Sequence, residues 1–173
     1  MDSIERWNER YRAGELGPSY PAPLLVDAIR SRVPGRALDL ACGTGRNAIY
    51  LAERGWDVVA IDGSPVAIAN LREVSTAVDA RVLDLERNAV PFPDESFDLV
   101  CIINFLHRPL FAEARRMTRR GGCVVSVIHT VQSSMNPKYA IALDELRSHF
   151  SDWEILIDRE DEVAELAARK PQR

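Results

Sequence analysis

The residues best suited to chemistry in this 173-residue chain are three aspartates and one His-Arg pair. Asp39 lies in the apolar run Ala37-Leu-Asp-Leu40, which leads at once to Gly43 and Gly45. Asp62 closes the run Val58-Val-Ala-Ile61, and Asp84 follows Ala80-Arg-Val-Leu83. An ionised carboxylate only accepts hydrogen bonds, so acids in such places suit the hydroxyls, amines or ammonium group of a ligand. The glycines leave the backbone bare where a Cβ would block a ligand's approach. Backbone N–H groups opening the helix that follows suit a carboxylate or phosphate. These features together describe a cradle for a nucleotide-like molecule. His107 and Arg108 follow the near-continuous apolar run Phe97 to Ile103. An imidazole can move a proton near neutral pH, and a guanidinium can hold an anion. Each has a plainer alternative: an imidazole bonded to a backbone carbonyl, and a surface ion pair.

Such residues act together only if the intervening elements bring them to one edge. Ala37 to Leu40, Val58 to Ile61, Ala80 to Leu85, Phe97 to Ile103 and Cys123 to Ile128 read as strands. Between them, Arg46 to Glu53, Pro65 to Val74 and Pro109 to Arg119 read as helices, the last stopped by Gly121-Gly122. Earlier helices span Ile4 to Gly14, with Trp7 and Tyr11 on one face, and Pro23 to Val33. Trp7 and Tyr11 either pin that first helix to the body or form part of a lid. Val131 to Tyr139 reads as a loop long enough to cover a site, followed by a helix over Ile141 to Phe150. Trp153 to Asp158 and Val163 to Ala168, joined by Arg159 to Glu162, read as antiparallel neighbours. Strands alternating with helices make a doubly wound α/β sheet with helices on both faces. Ligands of such sheets sit beyond the strands' carboxyl ends, where the aspartates, His107 and the segment His129-Thr130 all fall.

The spacing narrows the ligand. Asp62 lies about twenty residues past the glycine turn, where an acid can accept from both ribose hydroxyls, although Ser64 and Pro65 also make it part of a helix start. Asp84 with the Leu85 N–H matches the exocyclic amine and ring nitrogen of adenine. Gly43-x-Gly45-x-x-Ala48 also satisfies a dinucleotide fingerprint, so the turn alone leaves an NAD-dependent oxidoreductase open.

Length and composition fit one domain over residues 1–173: an N-terminal helical cap segment (1–34), a cofactor-binding core (35–130) and a C-terminal loop, helix and hairpin (131–173). Its charge of −4 argues against a nucleic-acid partner. The clustered arginines 115, 116, 119 and 120 fit a helix end favoured by the dipole. Three cysteines without paired spacing indicate neither a disulfide framework nor a metal site. With no apolar span or leader pattern, the expectation is a cytoplasmic protein without membrane attachment, monomeric or homodimeric.

Leu38-Asp-Leu-Ala-Cys-Gly-Thr-Gly-Arg-Asn47, Val59-Ala-Ile-Asp62, Asp84-Leu85, Phe97-Asp98-Leu-Val100 and Gly121-Gly122 together resemble the successive motifs of class I S-adenosylmethionine-dependent methyltransferases. Gly43 to Ala52, Ser64 to Asn70 and the ending Glu145 to Lys170 are similar to tellurite-resistance-like small-molecule methyltransferases within that superfamily. The resemblance implies a Rossmann-like sheet of seven strands in the order 3-2-1-4-5-7-6, strand 7 antiparallel, with S-adenosyl-L-methionine as cofactor. It implies that Asp39, Gly43 and Gly45 surround the methionine part, Asp62 the ribose and Asp84 with Leu85 the adenine. Asn104 and Phe105 would line the sulfonium side, and Ala41, Asn47, Gly63, Ser64 and Tyr11 would complete the cofactor contacts. His107 and Arg108 are then the catalytic candidates for methyl transfer to a small acceptor such as a thiol, an oxyanion or another small metabolite. A module that binds the cofactor without turnover is the remaining alternative.

Overall fold

The computed structural model describes residues 2–173. Its centre is a seven-stranded sheet in the order β3-β2-β1-β4-β5-β7-β6. The strands are β1 (Arg36–Leu40), β2 (Asp57–Asp62), β3 (Val78–Val82), β4 (Phe97–Ile103), β5 (Thr118–His129), β6 (Glu154–Glu160) and β7 (Val163–Arg169). β1 to β5 run parallel, and β7 lies antiparallel between β5 and β6. This is the order expected from the resemblance. It differs from the 3-2-1-4-5-6 order of dinucleotide-binding domains, which speaks against the oxidoreductase alternative.

The apolar runs of β1, β2, β4 and β5 are buried on both faces because helices cover both. On one face α2 (Pro23–Ile29), α3 (Arg46–Ala52) and α4 (Pro65–Val74) contribute Leu24, Leu25, Leu51, Ile68 and Leu71 to a core with Val58, Leu99 and Val125. On the other, α5 (Pro109–Met117) and α6 (Glu145–Ser148) bring Leu110, Phe111, Met117 and Leu146 against Leu38, Ile61, Val100 and Val124. α1 (Ser3–Arg12) stands apart from both cores and packs on α4.

Several boundaries differ from the sequence reading. β3 ends at Val82, so Asp84 lies on the loop beyond the strand. Gly121-Gly122 does not separate helix from strand: α5 ends at Met117, and β5 continues through the glycines on a bulge in which Phe97 pairs with Thr118 but Leu99 with Cys123. α2 stops at Ile29 instead of Val33. The helix expected from Ile141 shrinks to Glu145–Ser148 because Ile141 bridges to Thr130 in extended conformation.

Candidate functional site

β1 ends at Leu40, and the chain then turns sharply: Ala41, Gly43 and Gly45 all adopt positive φ, at 57°, 56° and 89°. The two glycines serve different ends. A Cβ on Gly43 would meet the Tyr11 hydroxyl at 3.0 Å, so the bare backbone there faces the space under α1. A Cβ on Gly45 would lie 2.4 Å from Leu71 Cδ1, so this glycine allows α3 to start tight against α4. Gly45 is therefore a packing position, contrary to the expectation that it opens the backbone to a ligand. Ala41 carries the left-handed strain, a cost of about 1–2 kcal/mol for an L-residue.

Asp39 is 1% exposed, and its Oδ2 has no hydrogen-bond partner. Burial, reinforced by the nearby charge of Asp62, pushes its carboxyl up to about 7, against the pull of Arg46 and the Ala48 backbone. A buried acid without a partner is costly, and a cation at this place would remove the cost. Asp62, at the end of β2, accepts the Gly43 N–H at 2.8 Å on one oxygen and the Ser64 N–H at 2.8 Å on the other. Burial raises its pKa, opposed by those two N–H groups. The carboxylate is thus locked in orientation while each oxygen keeps a lone pair.

α1 crosses above these strand ends on one helical face, Ile4, Asn8 and Tyr11. Ile4 packs on Gly63, whose ideal Cβ would come within 3.0 Å of it. Asn8 is buried and accepts a hydrogen bond from the Ser64 hydroxyl, which in turn caps α4 by accepting the Ala67 N–H. Tyr11 reaches the glycine turn, and burial together with the Asp62 charge holds its phenol above its usual pKa. Trp7 is exposed and stacks on Tyr11 from outside, with Arg10 over its ring. Docking is therefore carried by Ile4 and Asn8, which sequence reasoning missed in favour of Trp7. The i, i+4, i+7 spacing of Ile4, Asn8 and Tyr11 was the available signal.

Beyond β3, Asp84 accepts the Glu86 N–H at 3.0 Å and approaches Arg87 at 3.5 Å. The Leu85 side chain is buried in the core, leaving its backbone to face the loop. Asn47 turns the other way: its buried side-chain oxygen accepts the Ala22 N–H at 2.8 Å and anchors the start of α2. Its carboxamide oxygen is thus committed to packing.

At the end of β4, Asn104 takes a left-handed φ of 59° and donates its N–H to Val127 at 2.7 Å. Phe105 packs half-buried on the core and His107 is also half-buried. Arg108 is engaged in a two-point pair with Glu145 of α6, which keeps the Glu145 carboxyl below its usual range. Glu145 also accepts the Ala142 N–H at 3.0 Å, tying the loop after β4 to the segment after β5. The free anion-binding guanidinium anticipated for Arg108 is thus paired, because α6 starts beside it. Asp39, Asp62, Gly43, Gly63, Ser64 and Tyr11 lie together at the carboxyl ends of β1 and β2 under α1, Asp84 and Leu85 follow β3 on one side, and Asn104 to Arg108 follow β4 on the other. Among the described residues no cluster of His, Cys, Asp and Glu is arranged to hold a metal ion, and no helix is long and apolar enough to cross a membrane.

Comparison with known proteins bears on the family and the fold. The family described as "Methyltransferase domain" matches residues 37–122. Hemagglutinin 1 of Eikenella corrodens is 30% identical over 147 residues, covering 76% of this chain and 48% of that protein. A probable S-adenosyl-L-methionine-dependent methyltransferase, TehB of Haemophilus influenzae, is 29% identical over 145 residues, covering 76% and 50%. The crystal structure of TehB from that organism superimposes with a TM-score of 0.80 at 24% identity, covering 94% of this chain and 67% of the other. Demethylmenaquinone methyltransferase of Thermus thermophilus is 38% identical over 109 residues, covering 58% and 50%. The chain spans about half the length of these curated relatives.

Proposed function

Because the chain belongs to the class I S-adenosylmethionine-dependent methyltransferases, with S-adenosyl-L-methionine as its cofactor, we propose that it transfers a methyl group to a small-molecule acceptor. The observation that carries the reading is the buried, unpartnered Oδ2 of Asp39 beside the glycine turn. The cofactor's amino-acid end bears an ammonium, the partner this carboxylate lacks. Asp62, oriented by Gly43 and Ser64, has lone pairs left for the two ribose hydroxyls. Asp84 and the Leu85 N–H suit the adenine edge.

When bound, the cofactor supplies an electrophilic methyl group on sulfur, and direct displacement by the acceptor leaves S-adenosylhomocysteine. Displacement of this kind needs alignment and exclusion of water. α1 supplies the cover through Tyr11, held down by Ile4 on Gly63 and Asn8 on Ser64. The left-handed Asn104 turns the chain after β4, and on this reading Phe105 and His107 lie on the reacting side. His107 accepts a proton only where the acceptor's nucleophile carries one. The small sizes of the 13–22 and 130–144 segments support a small acceptor within a single domain. The net charge of −4 supports a partner other than nucleic acid.

Calorimetric titration with S-adenosylhomocysteine tests the cofactor site, and labelled-methyl transfer to thiols, oxyanions and cell extract tests turnover. Asp62→Asn should weaken binding about 10- to 150-fold, since one charge-assisted hydrogen-bond partner becomes a donor facing a donor. Affinity unchanged in a folded variant would remove Asp62 from the site. Binding without transfer to any acceptor would favour a cofactor-holding module.

A further inference from the structure

At the end of the sheet opposite the cofactor site, two cavities of about 330 and 560 Å³ share Arg32, Pro34 and Trp56 and so form one continuous groove. Pro34 precedes β1 and Trp56 precedes β2, so the groove opens at the strands' amino ends. β1, five residues long, separates it from the glycine turn by about 17 Å. None of the residues placed in the cofactor site lines either cavity.

The smaller cavity is cationic and aromatic. Arg30, Arg32 and Arg54 line it together with Pro34, Tyr50 and Trp56, and among the described residues no acid does. Such a lining stands out in a chain of net charge −4. Arg30 is paired with Asp27 at 2.9 Å. Among the described residues neither Arg32 nor Arg54 is paired with a carboxylate. Arg32 is half-buried and leans on the Cys123 thiol, a weak acceptor. Glu154, whose carboxyl feels the Arg32 charge, is itself held by Arg169 in a two-point pair. Arg54 lies over the Tyr50 ring, 3.5 Å from its centre, and donates to the Tyr50 carbonyl at 3.2 Å. A guanidinium has five N–H donors in a planar fork, so each of these two keeps most of its own. Beyond Arg32 the larger cavity adds Arg120 and Asp98, which are already paired with Glu95 and Arg119.

A half-buried cation without an anion carries a cost that a ligand can remove. Apolar and aromatic walls with a few convergent polar groups are the make-up of a small-molecule site, and the arginine fork matches the oxygens of carboxylates and phosphates. We infer that the groove is a second binding site, for a small organic anion whose phosphate or carboxylate oxygens lie between Arg32 and Arg54 while an aromatic ring rests on Pro34 and the edge of Trp56. This site is independent of the methyl-transfer reading. A nucleic-acid strand is disfavoured by the net charge of −4 and by Asp27, Glu53 and Asp57, which neighbour the groove residues in the chain.

The test follows the indole N–H signals of the three tryptophans by NMR while phenyl phosphate is added to the protein saturated with S-adenosylhomocysteine. Benzoate, titrated beside it, distinguishes a carboxylate head from a phosphate. The Trp56 signal should shift saturably with one of the two. Trp7 on α1 and Trp153 before β6 should stay still, and omitting S-adenosylhomocysteine should change nothing. Inorganic phosphate, lacking the ring, should bind at least about ten-fold more weakly. Arg32→Gln combined with Arg54→Gln should weaken binding at least about ten-fold while S-adenosylhomocysteine affinity is kept. A Trp56 signal that does not move overturns the inference in the wild type alone, whether or not the variant folds. Equal binding of inorganic phosphate, a shift of Trp7 in place of Trp56, or unchanged affinity in the folded variant also overturns it. A single-stranded oligonucleotide that binds and is lost in the variant, without any response to phenyl phosphate or benzoate, overturns it in favour of a nucleic-acid groove.

Discussion

Replacing Asp39 by asparagine should make the free protein more stable in alkaline buffer while weakening cofactor binding. In the folded chain burial moves this carboxyl from its usual 3.8 up to about 7. At about 1.4 kcal/mol per pH unit of separation, ionising it in place costs about 4 kcal/mol. The folded state holds the proton more tightly than the unfolded chain, so the stabilising contribution is complete below about pH 4. It is lost progressively as pH rises to about 7, and is level above. Asparagine has the same shape and no charge to bury, but its amide leaves a donor unsatisfied, at about 1–3 kcal/mol. Urea unfolding of both proteins should therefore show the difference in stability moving by about 2.5 kcal/mol toward the variant between about pH 5 and about pH 8.5. Comparing the two proteins cancels the contributions of every group they share. Calorimetry should show the opposite order for S-adenosylhomocysteine: tight binding by the wild type that weakens below about pH 7 as Asp39 takes a proton, and weak binding by the variant with little pH dependence. A pH-independent difference in stability, or equal affinities, would refute the reasoning that an unpartnered buried carboxylate awaits the cofactor's ammonium.

Gly45→Ala forces a Cβ into Leu71 and a left-handed φ on alanine, so thermal or urea denaturation should register a loss of about 2–4 kcal/mol. Adding Leu71→Ala should fail to restore stability, since it opens a cavity and leaves the φ strain. Ser64→Ala removes both the α4 cap and the anchor for Asn8, and should cost about 1–2 kcal/mol; hydrogen exchange over residues 3–12 should accelerate, and protection as in the wild type would show that α1 is held by Ile4 and Tyr11 alone. His107→Ala should lower turnover on acceptors that carry a proton while leaving S-adenosylhomocysteine affinity intact, and reduced stability with normal turnover would mark it as structural.

Much of this architecture was legible from local pattern. Apolar runs bounded by glycine, proline and acids marked the parallel strands, and helices of mixed polarity between them required a doubly wound sheet. Asp39, Asp62 and Asp84 could be read together because each lies at or just beyond the carboxyl end of a parallel strand, where ligands of doubly wound sheets sit. The errors fell where pairing overrides local preference. Gly121-Gly122 reads as a helix stop, yet the pair sits inside a strand because β4 holds it there through a bulge. Ile141 to Phe150 has helical periodicity, but the bridge of Ile141 to Thr130 claims its beginning.

By itself the sequence determined the order of elements and the acids at or near the strand ends, since these follow from periodicity and residue type. Only the tertiary structure decided what each nearby side chain is free to do. It gave Gly45 to Leu71, Asn47 to Ala22 and Arg108 to Glu145, and it brought Asn8 onto Ser64 from 56 residues away. A residue type states which bonds a side chain can make. Which of them remain for a ligand depends on the partners that folding has already supplied, and those are set by contacts distant in the chain.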